Sequence, residues 1–377
     1  MWKGERVRES VRKLSRVEGA RNWLREQFFR GVRHVAAIDE SREIFASLLR
    51  QKNVLPVPVE LQSIDEVIHP YADLGLRPQD TRDKERKSNP AVFITGRFRS
   101  GSTLVWNLFR HVAGVTSYYE PFNERRWFDP SARGGRVDQS HLGVTDYWAE
   151  YEGLGELGRY FDPQWKFRHL YMPASAWNRP MQRYIETMIA RATGRAVLQF
   201  NEVDFRLGWL RARFPGVPII HIYRHPRDQW CSTLLDEARS AAHIRLRDFP
   251  RFDGFYLMRW ARDLCHVFPF LTLNPDAFAY ELYYQIWVLS FLFGRAHSER
   301  SFAFEDLIRD PPTGIRNLLD VAGLSGTDAS SLVPLVSPVH IGKWRKYADA
   351  DWFAEIEARV DTDISAYAHG LGVGPRM

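Results

Sequence analysis

Cysteine is almost missing from this chain: only Cys231 and Cys265 occur in 377 residues, and neither stands in a C-x-x-C pair or a Cys/His ligand spacing. That excludes a disulfide framework and a structural zinc site. A reducing compartment, the cytoplasm, is the expected setting. Long apolar runs are missing too. The most apolar stretch, IWVLSFLF at residues 286–293, is closed by Arg295 and is far shorter than the ~20 residues of a membrane span. It predicts a buried helix segment. Residues 1–40 start basic but hold no uninterrupted apolar core, so no secretory signal is expected. Internal repeats, low-complexity segments and Asp/Glu/His clusters at metal-ligand spacing are also lacking, and no metal is expected.

What is present is a globular composition, 45% hydrophobic and 14% aromatic with 13 Trp, long enough for one large α/β domain with an appendage. The net charge of +6 has one source. The first 34 residues hold ten Lys/Arg against four acids, and the rest of the chain is close to neutral. Over residues 5–36, Val7, Val11, Leu14, Val17, Leu24, Phe28 and Val32 recur at helical steps between basic residues, which predicts an amphipathic helix. Such a helix packs on the domain or a second subunit, or lies peripherally on an anionic membrane surface. Nucleic-acid binding is not expected, because the charge is confined to one helix rather than spread along an aromatic groove. The stretch GLRPQDTRDKERKSNP (75–90) reads as a surface connection. The expected organisation is therefore a helical N-terminal extension with its charged connection over 1–88 and a main domain over 89–377.

Four short apolar runs in the main domain, 91–95, 196–200, 217–223 and 301–304, alternate with helical patterns. The expected fold is α/β: a P-loop-type, mostly parallel β-sheet flanked by helices on both faces. Ligands of such sheets bind beyond the carboxyl ends of the strands.

The first run leads into TGRFRSGST (95–103), with glycines spaced as in a phosphate-binding loop and a helical pattern after it. Ser102 stands where nucleoside triphosphatases place the lysine that reaches the β/γ-phosphates. Arg97 and Arg99 offer forked charge from inside the loop instead, suited to phosphate or sulfate oxygens. The backbone N–H groups of residues 99–103 complete an anion cradle at a helix start. In IIHIYRHPRDQWCST (219–233), Arg224 ends an apolar strand, Pro226 opens a helix and Ser232 follows eight residues after Arg224. Both side chains reach one anion only if the chain turns sharply at His225-Pro226.

With these two elements in this order, the chain resembles the sulfotransferases that use 3′-phosphoadenosine-5′-phosphosulfate (PAPS). The resemblance covers roughly residues 90–350. It implies that Arg97, Phe98, Arg99, Ser100, Gly101, Ser102 and Thr103 cradle the 5′-phosphosulfate, with Arg99 neutralising the leaving phosphate, and that Arg224 and Ser232 bind the 3′-phosphate. SYYEP (117–121) is similar to an acid-containing segment of the carbohydrate and tyrosyl-protein branch, which implies Glu120 as the base for an acceptor hydroxyl. Glu124, His141 and His169 are the other candidates. FEDLIRDPP (304–312) resembles a strand-end signature with Phe304 in place of the usual Tyr. GKWRKY (342–347) resembles a loop that closes over the nucleotide, which implies Gly342, Lys343 and Trp344 as contacts. The implied partners are PAPS, its desulfated product PAP, and a carbohydrate or glycolipid acceptor. For acceptor contacts, Trp127, Trp148, Trp165, Trp177 and Phe255 are available. Two alternatives stand: a nucleotide-binding scaffold without catalysis, and a P-loop kinase, against which the missing lysine counts.

Overall fold

The computed structural model describes residues 91–370, except 139, 140, 142 and 235–241 and the side chains of 368–370. All of these belong to one compact unit, 56–377. The expected basic helix at 5–36 and the boundary at residue 88 lie outside the described residues.

In chain order the elements are β1 (Ala91–Thr95), α1 (Ser102–Arg110), β2 (Val115–Tyr119), α2 (Arg179–Arg191), β3 (Arg195–Phe200), α3 (Leu207–Arg213), β4 (Ile219–Tyr223), α4 (Pro226–Thr233), α5 (Leu257–Leu264), α6 (Ala279–His297), β5 (Arg300–Ala303), α7 (Phe304–Arg309), α8 (Pro311–Val321) and α9 (Ala350–Gly370). The strands form one sheet in the order β2-β3-β1-β4-β5, and every neighbouring pair is parallel.

The period of two along a strand explains why β1 is apolar throughout. Ala91 and Phe93 face one core layer with Leu198 and Ile219, while Val92 and Ile94 face the other with Val197 and Ile220. The first layer is covered by α2, α3 and α6, and the second by α1 and α8. Helix α6 contains the apolar run at 286–293 and is buried along most of its length. It approaches β4 so closely that a Cβ at Gly294 would lie 2.4 Å from the His221 ring. Among the described residues, no helix is long and apolar enough to cross a membrane.

All four expected strands are present within two residues of their expected ends. Two details differ. Phe304, read as strand, is the first residue of α7, where Pro311 and Pro312 follow at the start of α8. Strand β2 at the sheet edge was not foreseen, because VTSYY is short, half polar and paired on one side only.

Candidate active site

Each of the five strands delivers a residue just past its carboxyl end to one cavity of about 890 Å³: Phe98 after β1, Glu120 after β2, Asn201 after β3, Arg224 after β4 and Phe304 after β5. That is where a parallel sheet leaves room for a ligand.

The loop after β1 turns into α1 through Gly101, whose φ of 93° belongs to the left-handed region. A Cβ there would sit 2.1 Å from the Phe304 ring, so glycine is required twice over, by torsion and by space. Gly101→Ala should therefore unfold the loop locally. A fall in the melting midpoint of several degrees is expected, following from roughly 1–3 kcal/mol of strain in a domain of this size; a wild-type midpoint would refute it.

Beyond the loop, the first turn of α1 leaves backbone N–H groups without intrahelical partners. Arg99 is itself at φ 66°. Its Nε donates to Ser232 Oγ at 3.0 Å, its Nη1 lies 3.7 Å from Asp138 Oδ2, and its carbonyl faces Arg224 Nη1 at 3.4 Å. The sharp turn that sequence spacing demands is present. His225 N donates to Glu305 Oε1 (3.0 Å) and Pro226 starts α4, so Arg224 and Ser232 both line the cavity beside Arg99. Arg224 Nε is buried without a hydrogen-bond partner among the described residues, as is Ser100 Oγ within the loop. Burial lowers the Arg224 pKa, against the pull of Asp228 and Glu305.

Several expected contacts are placed elsewhere. Arg97 turns inward, onto Asp204 (3.4 Å) and over the Trp260 ring (4.7 Å), and its side chain does not line the cavity. Ser102 and Thr103 do line the cavity, with their hydroxyls engaged by Asn201 Oδ1 (3.0 Å) and Tyr119 OH (3.2 Å). Buried Trp344 stacks against His225 rather than facing the cavity. Gly342 and Trp344 instead anchor their loop by donating main-chain N–H groups to Asp228 (2.7 and 3.1 Å). That anchor presents Lys343 and Tyr347 to the cavity. Of the aromatic residues noted for acceptor contacts, Trp127 and Phe255 line the cavity. Trp148 stacks behind Trp127, Trp165 is core, and Trp177 is exposed beside Arg213.

Opposite the arginines lies a knot of carboxylates around buried Lys166. Its Nζ contacts Glu124 and lies 3.8 Å from Glu202. Glu120 is buried, with φ 37°. Its Oε2 accepts from Asn123 Nδ2 (2.5 Å) and its Oε1 from Asn201 Nδ2. Burial drives the Glu120 pKa up, against Lys166 and the hydrogen bonds from Asn123 and Tyr119. Burial acts the same way on Glu124, but there Lys166 and Tyr256 prevail and hold the carboxyl below its ordinary value.

Asn201 is the residue sequence reading missed. Its Oδ1 accepts from Ser102 Oγ and from Gln199 Nε2 (2.7 Å), which fixes the amide so that Nδ2 points at Glu120. The anion loop and the carboxylate are thereby joined through one side chain. The polar run Gln199-Phe200-Asn201-Glu202, at the carboxyl end of an apolar strand, was the available signal. Of the histidines, His141 lines the cavity with Nδ1 2.5 Å from Tyr147 OH. Burial and the charge of Arg99 push its pKa to about 4, despite Asp138, which leaves it neutral at pH 7. His169 is away from the cavity, held through its backbone by Asp263 and Arg206.

The raised Glu120 pKa has a thermodynamic consequence. A carboxyl that binds its proton more tightly when folded contributes most below its unfolded pKa, and that contribution is lost as pH rises through the folded value. The melting midpoint of Glu120→Gln minus that of wild type should therefore increase from pH 4.5 to pH 8. A difference that stays flat or falls over that window would contradict the burial account.

A glycine loop bearing arginine runs between a parallel strand and a helix of an α/β domain, and a second arginine and a buried carboxylate line the same cavity. The sequence profile of the Sulfotransferase family matches residues 90–290, more than half of the chain, and the chain belongs to that family. Among solved structures, the sulfotransferase STF9 from Mycobacterium avium is similar at 12% identity, covering 72% of this chain and 76% of that one with a TM-score of 0.38. So distant a likeness carries no argument of its own. No curated protein matches the chain.

Proposed function

We propose that this sulfotransferase moves the sulfuryl group of PAPS to a hydroxyl of a carbohydrate or glycolipid, with Glu120 as base. The observation that carries the reading is the meeting of Arg99, Arg224 and Ser232 beside the glycine loop, in the same cavity as Glu120. The residues suit the donor on chemical grounds, since Arg224 Nε is a buried donor in need of an acceptor. Bound PAPS would supply the sulfuryl group and leave as PAP.

The loop amides and Arg99 would hold the 5′ end. Arg224 and Ser232 would hold the 3′-phosphate, which distinguishes PAPS from ATP, and Lys343 would cover it from the loop anchored on Asp228. In-line group transfer of this kind depends on positioning and on neutralising oxygen charge. Glu120 would accept the proton of the attacking hydroxyl at a carboxylate oxygen, held in place by Asn123 and Asn201.

A thermal-shift titration with PAP, ADP and ATP-Mg tests the donor assignment, because a ligand of the native state raises the midpoint according to its affinity. PAP should shift the midpoint well beyond ADP. A larger shift with ATP-Mg, or none with any of the three, would overturn the reading.

A further inference from the structure

We infer that the acceptor carries an anionic group near the hydroxyl it presents, and that Arg125, Arg136 and Trp127 form the subsite for that group. This rests on the sulfuryl-transfer reading above and adds the class of acceptor. Four arginines lie between residues 125 and 136. Two of them do not line the cavity and have carboxylate partners, Arg126 with Asp129 (3.4 Å) and Arg133 with Glu152 (2.8 Å). The two that do line it, Arg125 and Arg136, have no carboxylate partner among the described residues. Their acidic neighbours on the cavity wall are already engaged, Glu124 by Lys166 and Asp138 by Arg99.

The Arg125 fork is held in place, with Nη1 donating to the Arg136 carbonyl (3.0 Å) and the guanidinium 5.8 Å from the Trp127 ring centre. Trp127 lines the same wall at 2% exposure, and its indole N–H is buried without a hydrogen-bond partner among the described residues. Two forked cations with no carboxylate partner among the described residues, beside an unsatisfied N–H, complement an anion. Asn123 ties this subsite to the reacting end. Its Oδ1 accepts from Arg125 N (2.9 Å) while its Nδ2 donates to Glu120 (2.5 Å). An acid sugar, carboxylated or phosphorylated, fits this wall better than a neutral one.

The test is calorimetric titration of the full chain, saturated with PAP, with methyl β-D-glucuronide, glucose 6-phosphate and methyl β-D-glucoside. At least one anionic probe should bind roughly tenfold or more tightly than the glucoside. The preference should vanish in the Arg125→Ala/Arg136→Ala double variant and survive in Arg126→Ala. Which anionic probe is preferred separates a carboxylated from a phosphorylated acceptor. Equal binding of all three, binding of none, or a preference untouched by the double variant would overturn the inference. Titration with PAP and ADP on the same preparations reads the donor assignment separately. PAP selectivity without anion preference sinks only the acceptor class, and anion preference without PAP selectivity sinks only the donor.

Discussion

Arg224→Ala should weaken PAP binding by roughly ten- to a hundredfold and leave ADP affinity close to wild type, the consequence of deleting one charged hydrogen-bonding partner worth about 1.5–3 kcal/mol. The selectivity follows from where Arg224 sits. It leaves β4 at the sharp turn into α4, lines the cavity next to Ser232, and keeps a buried Nε with no hydrogen-bond partner among the described residues. Its own structural contacts are modest, a 3.4 Å approach to the Arg99 carbonyl and a stack 5.0 Å over the Phe304 ring. Loss of the side chain should therefore be felt through the ligand more than through the fold. Arg224→Lys, which keeps the charge without the fork, should fall between the two. Equal weakening of PAP and ADP would show that the residue supports the loop in general and does not read the 3′-phosphate.

Glu120→Gln should reduce turnover by roughly two to four orders of magnitude, the usual contribution of a positioned general base, while PAP affinity remains within about twofold. The amide keeps the size of the carboxyl, and its oxygen still accepts one of the two hydrogen bonds from Asn123 and Asn201. Proton acceptance is lost, together with one of those two hydrogen bonds. Single-turnover measurements with labelled PAPS, alongside PAP titration, separate the two effects. Retained turnover would move the role elsewhere in the cavity. Glu124 is a poor substitute, because Lys166 and Tyr256 already hold it as a stable anion. His141 is a better one, neutral and facing the same space.

Local signals in the sequence made much of this architecture readable. Strand β1, its loop and α1 are contiguous, so apolar run, glycine spacing and helical period reinforce one another. The Arg224 corner could be read because Pro226 announces the helix that starts there. Side-chain direction was harder to read. Arg97 and Arg99 are two residues apart in one loop, yet the left-handed turn at Arg99 sends one guanidinium to Asp204 and the other to Ser232. No periodicity encodes that. Trp344 likewise combines the composition of a stacking residue with the surroundings of a core residue, and only the grip of Asp228 on its backbone decides between them. Asn201 was hidden because its importance depends on partners 81 and 99 residues away, Glu120 and Ser102.

The place of β1 at the middle of the sheet also bears on how the molecule is made. Its apolar residues 91–95 pair with 196–200 on one side and with 219–221 on the other. During synthesis at ~5–20 residues per second, the strand would wait on the order of 5–20 s for its first partner to emerge. Over that interval AVFIT is a bare, two-edged β-template. The charged, proline-containing stretch just before it, GLRPQDTRDKERKSNP, is placed where gatekeeper residues protect nascent strands from pairing with other chains.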